Sequence, residues 1–414
     1  MNLSNAWRPS GRRGKISSVE TSSDRPQRAG SEFDQVLTNP QRNWTRRLRL
    51  GAGVAALGAV LAACSSDDQV FNTLDPKGEN ARQIDGLTMG IGWMATIVGI
   101  IVAALVVYVI IKFRATEETY DDLPEQVHGN TPAELGWTIA PAVLLLGVAI
   151  WSLPVIFDLN DQDENDMTVI VEGQQWWWQF EYDLDEDGVF ETITSGDIVF
   201  PAGETINLEI TSNDVIHSFW IPELNGKKDA VPGRVHPWKL QADEPGVFWG
   251  QCAEYCGLSH AEMRMRAVAL SPEDWEEWKA RQLSDGVVPA EGDTAERRGY
   301  ELFGQFCASC HVVNGVYEGA AENEVPLLSG IAPNLTHLMG RTSFGGALFE
   351  MYNEDGSLNT AELTAWVRNA PGVKALAPDN QQGMISFEDQ LDNTQLSDII
   401  AYLSTLGESP ILPD

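Results

Sequence analysis

The chain has 414 residues, of which 60 are Asp or Glu and 27 are Lys or Arg, so its formal net charge is −33 at pH 7. A surface this acidic repels a phosphate backbone, which excludes nucleic acid as a partner. The acidity fits two alternatives, docking of a cationic partner or adaptation to high salt.

Residues 1–63 are predicted to be an N-terminal extension followed by a lipoprotein signal peptide. A basic stretch, 45–50, precedes a short apolar run, 51–61, which ends in Leu-Ala-Ala before Cys64. A basic segment, a short apolar segment and small residues at a cleavage point are typical of a bacterial secretory signal. We therefore expect Cys64 to be lipidated in the mature chain, and an ordinary short apolar helix is the alternative.

Two apolar segments, Leu87–Phe113 and Leu135–Phe157, predict a transmembrane hairpin over residues 87–157. Each is longer than the roughly 20 residues that cross the hydrocarbon core as a helix, and each has a charge-free centre. Lys112 and Arg114 lie at the end of the first segment, which places the connecting loop in the cytoplasm. We therefore expect a multi-pass protein of the bacterial cytoplasmic membrane. Its short segment 64–86 and its C-terminal domains would lie on the extracytoplasmic side.

Residues 167–283 have a sequence pattern typical of β-strands and predict an all-β, cupredoxin-like sandwich. Short runs that are β-branched, or in which apolar and polar residues alternate, are separated by turns rich in Gly, Pro and Asp, as the strands of a sandwich are. The clearest runs are Thr168–Val171, Thr205–Ile210 and Arg264–Leu270. The acidic run 183–188 is predicted to be a hairpin turn. A calcium loop is the alternative, although Thr194 stands where that loop needs a bidentate Glu.

The stretch Cys252–Met263 holds two thiols, an imidazole and a thioether at short spacing, and His217 lies upstream of it. Sulfur and imidazole together suit copper, whereas calcium and magnesium prefer oxygen ligands. The pattern therefore predicts a copper site. A disulfide between Cys252 and Cys256 and half of a zinc site are the alternatives, but structural zinc sites normally use closely spaced pairs of ligands.

A second redox motif, Cys307-Ala-Ser-Cys310-His311, is typical of covalent c-type haem attachment, with His311 as the proximal iron ligand. A thioredoxin-like motif is the alternative, but no βαβ pattern surrounds these cysteines. An apolar helical period after Thr394, the predicted N-cap, leads to a terminal glycine. An all-α domain is thus expected at 294–408, after a Gly- and Pro-rich linker at 284–293.

The pattern C-x-E-x-C-G-x-x-H-x-x-M at Cys252–Met263, with His217 upstream, resembles subunit II of haem–copper cytochrome c oxidases at every position. The resemblance implies a dinuclear copper centre, copper A, bridged by two thiolates. Its ligands would be His217, Cys252, the backbone carbonyl of Glu254, Cys256, His260 and Met263. The carboxylate of Glu254 would help to hold a magnesium ion at the interface with subunit I.

Two further segments resemble the same family. Residues 128–141 are similar to the start of its second membrane helix, where Glu134 would lie near the entrance of a proton path; a solvated carboxylate at a helix N-terminus is the alternative. In the run Trp176-Trp177-Trp178, the resemblance implies that Trp176 stands exposed above the copper site and receives the electron. Trp178 would pack toward the membrane-facing side.

Residues 332–341 are similar to the G-P-N-L-x-x-L-x-G-R segment of class I cytochromes c. The resemblance implies that the Pro333 carbonyl accepts the proximal imidazole N–H and that Arg341 pairs with a haem propionate. Small c-type cytochromes place their sixth iron ligand in a loop just before the last helix, which favours Met384. Met339 is the alternative, and Met351 is expected to be a packing residue.

The whole chain thus resembles subunit II of the caa type, a multidomain protein with a two-helix transmembrane hairpin, a copper A cupredoxin domain and a class I cytochrome c domain. The resemblance implies electron transfer from haem c to copper A and on to haem a of subunit I, for oxygen reduction coupled to proton translocation. Expected partners are subunit I, subunit III, membrane lipid and a soluble or membrane-bound electron donor. The copper A subunit of a nitric oxide reductase and a free-standing membrane electron shuttle are the alternatives.

Overall fold

Two long apolar helices, α1 (Glu79–Lys112) and α2 (Thr131–Asp158), precede the folded domains. The computed structural model describes residues 70–114, 128–164, 166–185, 187–316, 332–377 and 382–413, without the side chains of 191–193. Cys64 lies outside these residues. The most apolar window of each helix is wholly unburied, so both helices are long and apolar enough to cross a membrane.

The first helix begins before the predicted apolar segment because its N-terminal turn is tied to the β-sandwich. The Glu79 amide donates to Gln241 Oε1 at 2.8 Å, and Asn80 Nδ2 donates to the Lys239 carbonyl at 3.5 Å. These bonds satisfy polar groups at a helix end that would otherwise lack partners. The end of α1 that precedes the apolar segment is therefore attached to the sandwich.

Ten strands in the described part of the chain form two five-stranded sheets that enclose one core. They are β1 (Thr168–Gln174), β2 (Trp177–Tyr182), β3 (Glu191–Ser195), β4 (Asp197–Pro201), β5 (Ile206–Ser212), β6 (His217–Trp220), β7 (Lys228–Ala230), β8 (His236–Leu240), β9 (Gly246–Cys252) and β10 (Arg264–Leu270). The sheet orders are β3-β2-β1-β5-β8 and β4-β10-β9-β6-β7. Only the pairs β1/β5 and β4/β10 of these strands are parallel. The predicted cupredoxin-like sandwich is confirmed.

The acidic run after β2 is the predicted hairpin turn, since β2 and β3 pair in antiparallel fashion. The Asp183 carboxylate accepts the amides of Asp187 and Gly188, both at 3.1 Å. An oxygen atom of each of Asp183, Asp185 and Asp187 lies within 4.8 Å of the others. These carboxylates already shape the turn, and their use as calcium ligands stays the alternative prediction.

The rest of the described chain is mainly helical and forms a C-terminal domain with its own apolar core. Its elements are α4 (Ala295–Phe306), β11 (Ser343–Phe344), β12 (Phe349–Glu350), α5 (Thr360–Asn369) and α6 (Asn393–Leu403), and α3 (Pro272–Gln282) leads into it. Helix α3 begins after its N-cap, Ser271, and its Trp275 and Trp278 are buried in the sandwich core. The predicted helical fold of this domain is confirmed.

The N-cap of the last helix is Asp392, and the prediction of Thr394 was wrong. The Asp392 side chain accepts the amides of Thr394 and Gln395 at 2.8 and 2.9 Å, and Gln395 Oε1 accepts the Asp392 amide at 3.0 Å. This reciprocal capping box satisfies backbone donors that Thr394 could not reach from within the first turn.

Helices α4 and α6 cross at Gly299, where a side chain would not fit. A Cβ atom at this position would lie 1.9 Å from the Asp398 carbonyl oxygen. Gly299→Ala should therefore destabilise the C-terminal domain by about 1–3 kcal/mol, the usual cost of overpacking. Denaturant unfolding measures the effect. Gly304→Ala, at an exposed position of the same helix, is the control, and equal unfolding midpoints for the two variants would contradict the close crossing.

Candidate metal and haem centres

The β-sandwich brings the predicted copper ligands together from two neighbouring strands and one loop. His217 opens β6, Cys252 ends the adjacent β9, and the loop to β10 carries Cys256, His260 and Met263. The Cys252 amide donates to the Met263 carbonyl at 2.8 Å, which closes the base of this loop. The ligand positions are thus anchored to the sheet at both ends.

The sulfur and nitrogen atoms converge in pairs. Cys252 Sγ lies 3.9 Å from Cys256 Sγ and 3.9 Å from His217 Nδ1. Cys256 Sγ lies 3.6 Å from His260 Nδ1 and 3.9 Å from Met263 Sδ. The sulfur separation is almost twice the roughly 2.05 Å of a disulfide bond, and both thiols are free. Two central sulfurs, each with its own imidazole, suit two metal ions bridged by thiolates.

The Glu254 carbonyl also faces this cluster, at 3.2 Å from Cys252 Sγ, while the Glu254 side chain is exposed. Tyr255 and Leu258 on the same loop are 73% and 61% exposed. The loop therefore presents ligands inward and an apolar edge outward.

The two thiols are arranged so that one ionises readily and the second does not. The pKa of Cys252 is lowered, because Cys256 and His217 hydrogen-bond to its thiolate. The neighbouring Cys252 sulfur, together with burial, raises the pKa of Cys256 well above its usual range. Bound cations would supply the positive charge that lets both thiols ionise, so these residues fit a dinuclear metal–thiolate centre.

Asp214 fixes the His217 ring, and the sequence analysis missed it. Asp214 Oδ1 lies 2.8 Å from His217 Nε2, which leaves Nδ1 directed at Cys252. The carboxylate also accepts the amides of Gln175 and Val215 at 2.7 and 2.6 Å. Burial opposes ionisation, but these bonds keep the pKa of Asp214 below its ordinary value. A carboxylate behind a ligating imidazole sets its tautomer and orientation.

Trp176 is only 2% exposed, which corrects the expectation that it stands open above the copper site. Its indole Nε1 donates to the Cys256 carbonyl at 3.3 Å, so it does lie beside the copper loop. Its own carbonyl accepts from Lys374 Nζ at 2.5 Å, because the C-terminal domain lies over it. Trp178 is fully buried and packs edge-on against the His217 ring, with 5.9 Å between ring centroids.

The predicted haem ligand His311 is held in one tautomer. Its Nδ1 lies 2.8 Å from the Pro333 carbonyl, and a carbonyl can only accept, so Nδ1 carries the proton and Nε2 keeps a free lone pair. Burial lowers the pKa of His311 despite the Pro333 bond, which favours the neutral form. A neutral imidazole with one free nitrogen is the form that ligates a metal.

The two cysteines before His311 lie in a tight turn at the end of α4. Cys307 is the C-cap, and its carbonyl accepts the amides of Cys310 and His311, both at 3.0 Å. Burial raises the pKa of Cys307 to about 12, so it stays protonated, unlike Cys252. Both thiols are free. A high thiol pKa argues against the thioredoxin-like alternative, which needs a reactive thiolate.

Arg341 is buried and donates to the Asn334 carbonyl, but its Nε has no hydrogen-bond partner among the described residues. Burial lowers its pKa to about 10. A buried guanidinium with an unused donor suits an anion such as a carboxylate, so the residue fits a haem propionate.

Met339 and Met351 are buried in the domain core, whereas Met384 is half-buried at its edge. The choice of Met384 as sixth ligand stays a prediction.

Glu134 lies in the first turn of α2 and is exposed. Its Oε1 accepts the Asn130 amide at 3.0 Å, and the Asn130 side chain in turn accepts the Ala133 amide at 3.2 Å. These contacts are those of a helix-end carboxylate, the alternative reading of this residue. Its part in a proton path stays a prediction.

Three family models match the chain. They are the cytochrome c oxidase subunit II transmembrane domain over 73–155, its periplasmic domain over 167–269 and cytochrome c over 296–407. Cytochrome c oxidase subunit 2 of Alkalihalophilus pseudofirmus is 33% identical over 355 residues, which cover 84% of this chain and 93% of that relative. The Bacillus subtilis protein of the same name is 28% identical over 369 residues, covering 85% and 96%. The solved periplasmic domain of cytochrome oxidase subunit II of Bradyrhizobium japonicum is 28% identical, covers 28% of this chain and 94% of that domain, and has a TM-score of 0.25.

Proposed function

The chain belongs to the cytochrome c oxidase subunit II family, and from that premise we propose that it conducts electrons from haem c through copper A to haem a of subunit I. As a subunit II, it is part of a haem–copper oxidoreductase and associates with subunit I. Oxygen reduction to water and the coupled proton translocation would take place in that partner. The observation that carries the proposal is the pair of free thiols 3.9 Å apart, each close to its own imidazole.

The copper ligands would act through their fixed geometry. The thiolates of Cys252 and Cys256 and the imidazoles of His217 and His260 would hold the copper ions. The Met263 sulfur and the Glu254 carbonyl would complete the set. When bound, copper A supplies a one-electron carrier whose charge two metals share. Because the sheet holds the ligands on both sides, the protein would move little when the electron arrives, which favours rapid transfer.

The C-terminal domain would hold haem c through Cys307, Cys310 and His311. Pro333 would keep His311 oriented through the 2.8 Å bond to Nδ1. Arg341 would offer its unused N–H to a propionate. Met384, in the loop before the last helix, would supply the further ligand to the haem iron. The haem, when bound, supplies the first acceptor for electrons from the external donor.

Helices α1 and α2 anchor the chain to the membrane, and we propose that both span it with their connecting loop in the cytoplasm. Both folded domains would then lie on the extracytoplasmic side, as lipidation of Cys64 would also require. The exposed Glu254 carboxylate would be free to hold magnesium against subunit I, next to the apolar edge of Tyr255 and Leu258. Glu134 would serve proton uptake at the other membrane surface.

One absorption spectrum of the purified complex tests this proposal. A near-infrared copper band and a reduced c-type haem band should appear together with haem a. If the copper band is missing while Cys252 and Cys256 are intact, the copper proposal fails. Nitric oxide consumption by a complex without haem a would point to a nitric oxide reductase. Purification of the chain without any haem a partner would point to a free-standing electron shuttle.

A further inference from the structure

We propose that the C-terminal domain is latched onto the copper face of the β-sandwich through Lys374 and Asp197. This contact closes Trp176 to external donors, so that electrons reach copper only through the C-terminal domain of the same chain. The inference rests on the proposed function and adds to it a defined docking contact within the chain. Each latch residue belongs to one domain and binds groups of the other.

Lys374 supplies the first half of the latch. It is the only lysine in residues 294–414, and its Nζ donates to Trp176 O at 2.5 Å and to Gly345 O at 2.9 Å. The two acceptors come from different domains, so the ammonium group joins them. Gly346 permits this approach, because a Cβ atom there would lie 2.3 Å from Lys374 Nζ.

Asp197 supplies the second half from the sandwich side, in β4. It is 2% exposed, and its carboxylate accepts the Thr342 amide at 2.6 Å, the Thr342 hydroxyl at 2.8 Å and the Ser343 hydroxyl at 3.3 Å. A buried carboxylate is costly unless hydrogen bonds compensate for the lost water. Here these three bonds come from the other domain, so Asp197 loses them if the domains separate.

The contact continues along the edge of the copper loop. Arg266 of β10 makes a two-pronged ion pair with Glu350 of β12 and lies 4.3 Å above the Trp249 ring. Ser259 Oγ, within the ligand loop, donates to the Ala375 carbonyl at 3.4 Å. Ala377 is buried in the core of the sandwich rather than in that of its own domain. Segment 374–377 therefore covers the copper loop directly.

Trp176 links this contact to the metal ligands. Its carbonyl accepts from Lys374, and its indole nitrogen donates to the carbonyl of Cys256, a copper ligand. A soluble donor cannot touch a side chain that is 2% exposed. The fused domain thus occupies the position from which an external protein would otherwise deliver electrons.

The test measures amide hydrogen exchange in the purified complex of the parent, Lys374→Met and Asp197→Ala. Peptides that contain 173–178 and 342–346 should lose protection by roughly thirtyfold in both variants, since the loss of buried hydrogen bonds between the domains disfavours the docked state by about that factor. Reduction of copper after rapid reduction of haem c should slow in parallel. Arg368→Met is the control, because Arg368 donates to Asn393 within its own domain, and its protection should equal that of the parent.

Intact copper and haem bands in the variants show that each domain is folded. Parent-like protection in both variants, with both bands intact, overturns the latch. If Asp197→Ala loses the copper or haem band, the latch is judged from Lys374→Met alone, and parent-like protection of that variant with both bands intact overturns the latch. A parent complex without the copper band would instead refute the proposed function, so the two failures are distinguishable.

Discussion

Replacing Cys256 with serine should abolish the near-infrared copper absorption of the complex and stop electron transfer beyond haem c. Cys256 Sγ is the centre of the cluster, within 3.9 Å of the Cys252 and Met263 sulfurs and 3.6 Å of His260 Nδ1. A serine hydroxyl is a hard, protonated ligand that cannot bridge two copper ions as a thiolate does. We expect the copper content of the purified complex to fall by at least half, measured by metal analysis beside the spectrum.

The matched control is the reciprocal variant in the other domain. Cys310→Ser removes one thioether link to the haem but leaves the copper cluster untouched, so the copper band should persist while haem attachment weakens. Cys256→Ser should show the opposite pattern, with haem c intact. A Cys256→Ser complex that keeps both its copper content and its near-infrared band would refute the bridging role.

The candidate ligands Cys252, Cys256, His260 and Met263 could be proposed from the sequence because they lie in one short pattern, whereas the family resemblance added the Glu254 carbonyl. The ligand set itself stays a prediction. Sulfur and imidazole at the spacing of Cys252, Cys256 and His260 indicate a soft-metal site whatever the tertiary fold. The haem motif is equally local. The sequence patterns of the strands and the two long apolar segments were enough to predict the sandwich and the long apolar helices. These patterns arise directly from which side chains face an apolar environment.

The features that could not be predicted from the sequence depend on contacts between residues that are far apart in the chain. The family resemblance led us to expect an exposed Trp176, and nothing in its own segment indicates that Lys374, far along the chain, covers it. Asp197 is one acidic residue among 60, and only the fold reveals its three bonds to the C-terminal domain. The wrong cap of the last helix has a local cause, since Asp392 and Thr394 are both favourable caps and only the backbone geometry decides between them.

Asp214→Ala should lower the copper affinity of the complex by about 10–100-fold, the usual cost of removing the partner behind a metal-binding histidine. The substitution removes the 2.8 Å bond to His217 Nε2 and leaves the Gln175 and Val215 amides without their acceptor. The His217 ring would then rotate more freely, and its Nδ1 would no longer be held toward Cys252. Competition with a copper chelator, followed by the near-infrared band, measures the loss.

Asp214→Asn separates orientation from charge at the same position. The asparagine oxygen can still accept from His217 Nε2 and from the Val215 amide, which both contact Oδ1, although its NH2 group cannot accept the Gln175 amide. This variant should therefore keep most of the affinity if orientation is the main contribution. If both variants lose copper equally, the negative charge of Asp214 is what matters, because it stabilises the positively charged centre. Copper retention by Asp214→Ala equal to that of the parent would show that the sheet alone orients His217. Since β6 fixes only the backbone of His217 and Trp178 contacts its ring from one side, at 5.9 Å between centroids, we expect the carboxylate to be required.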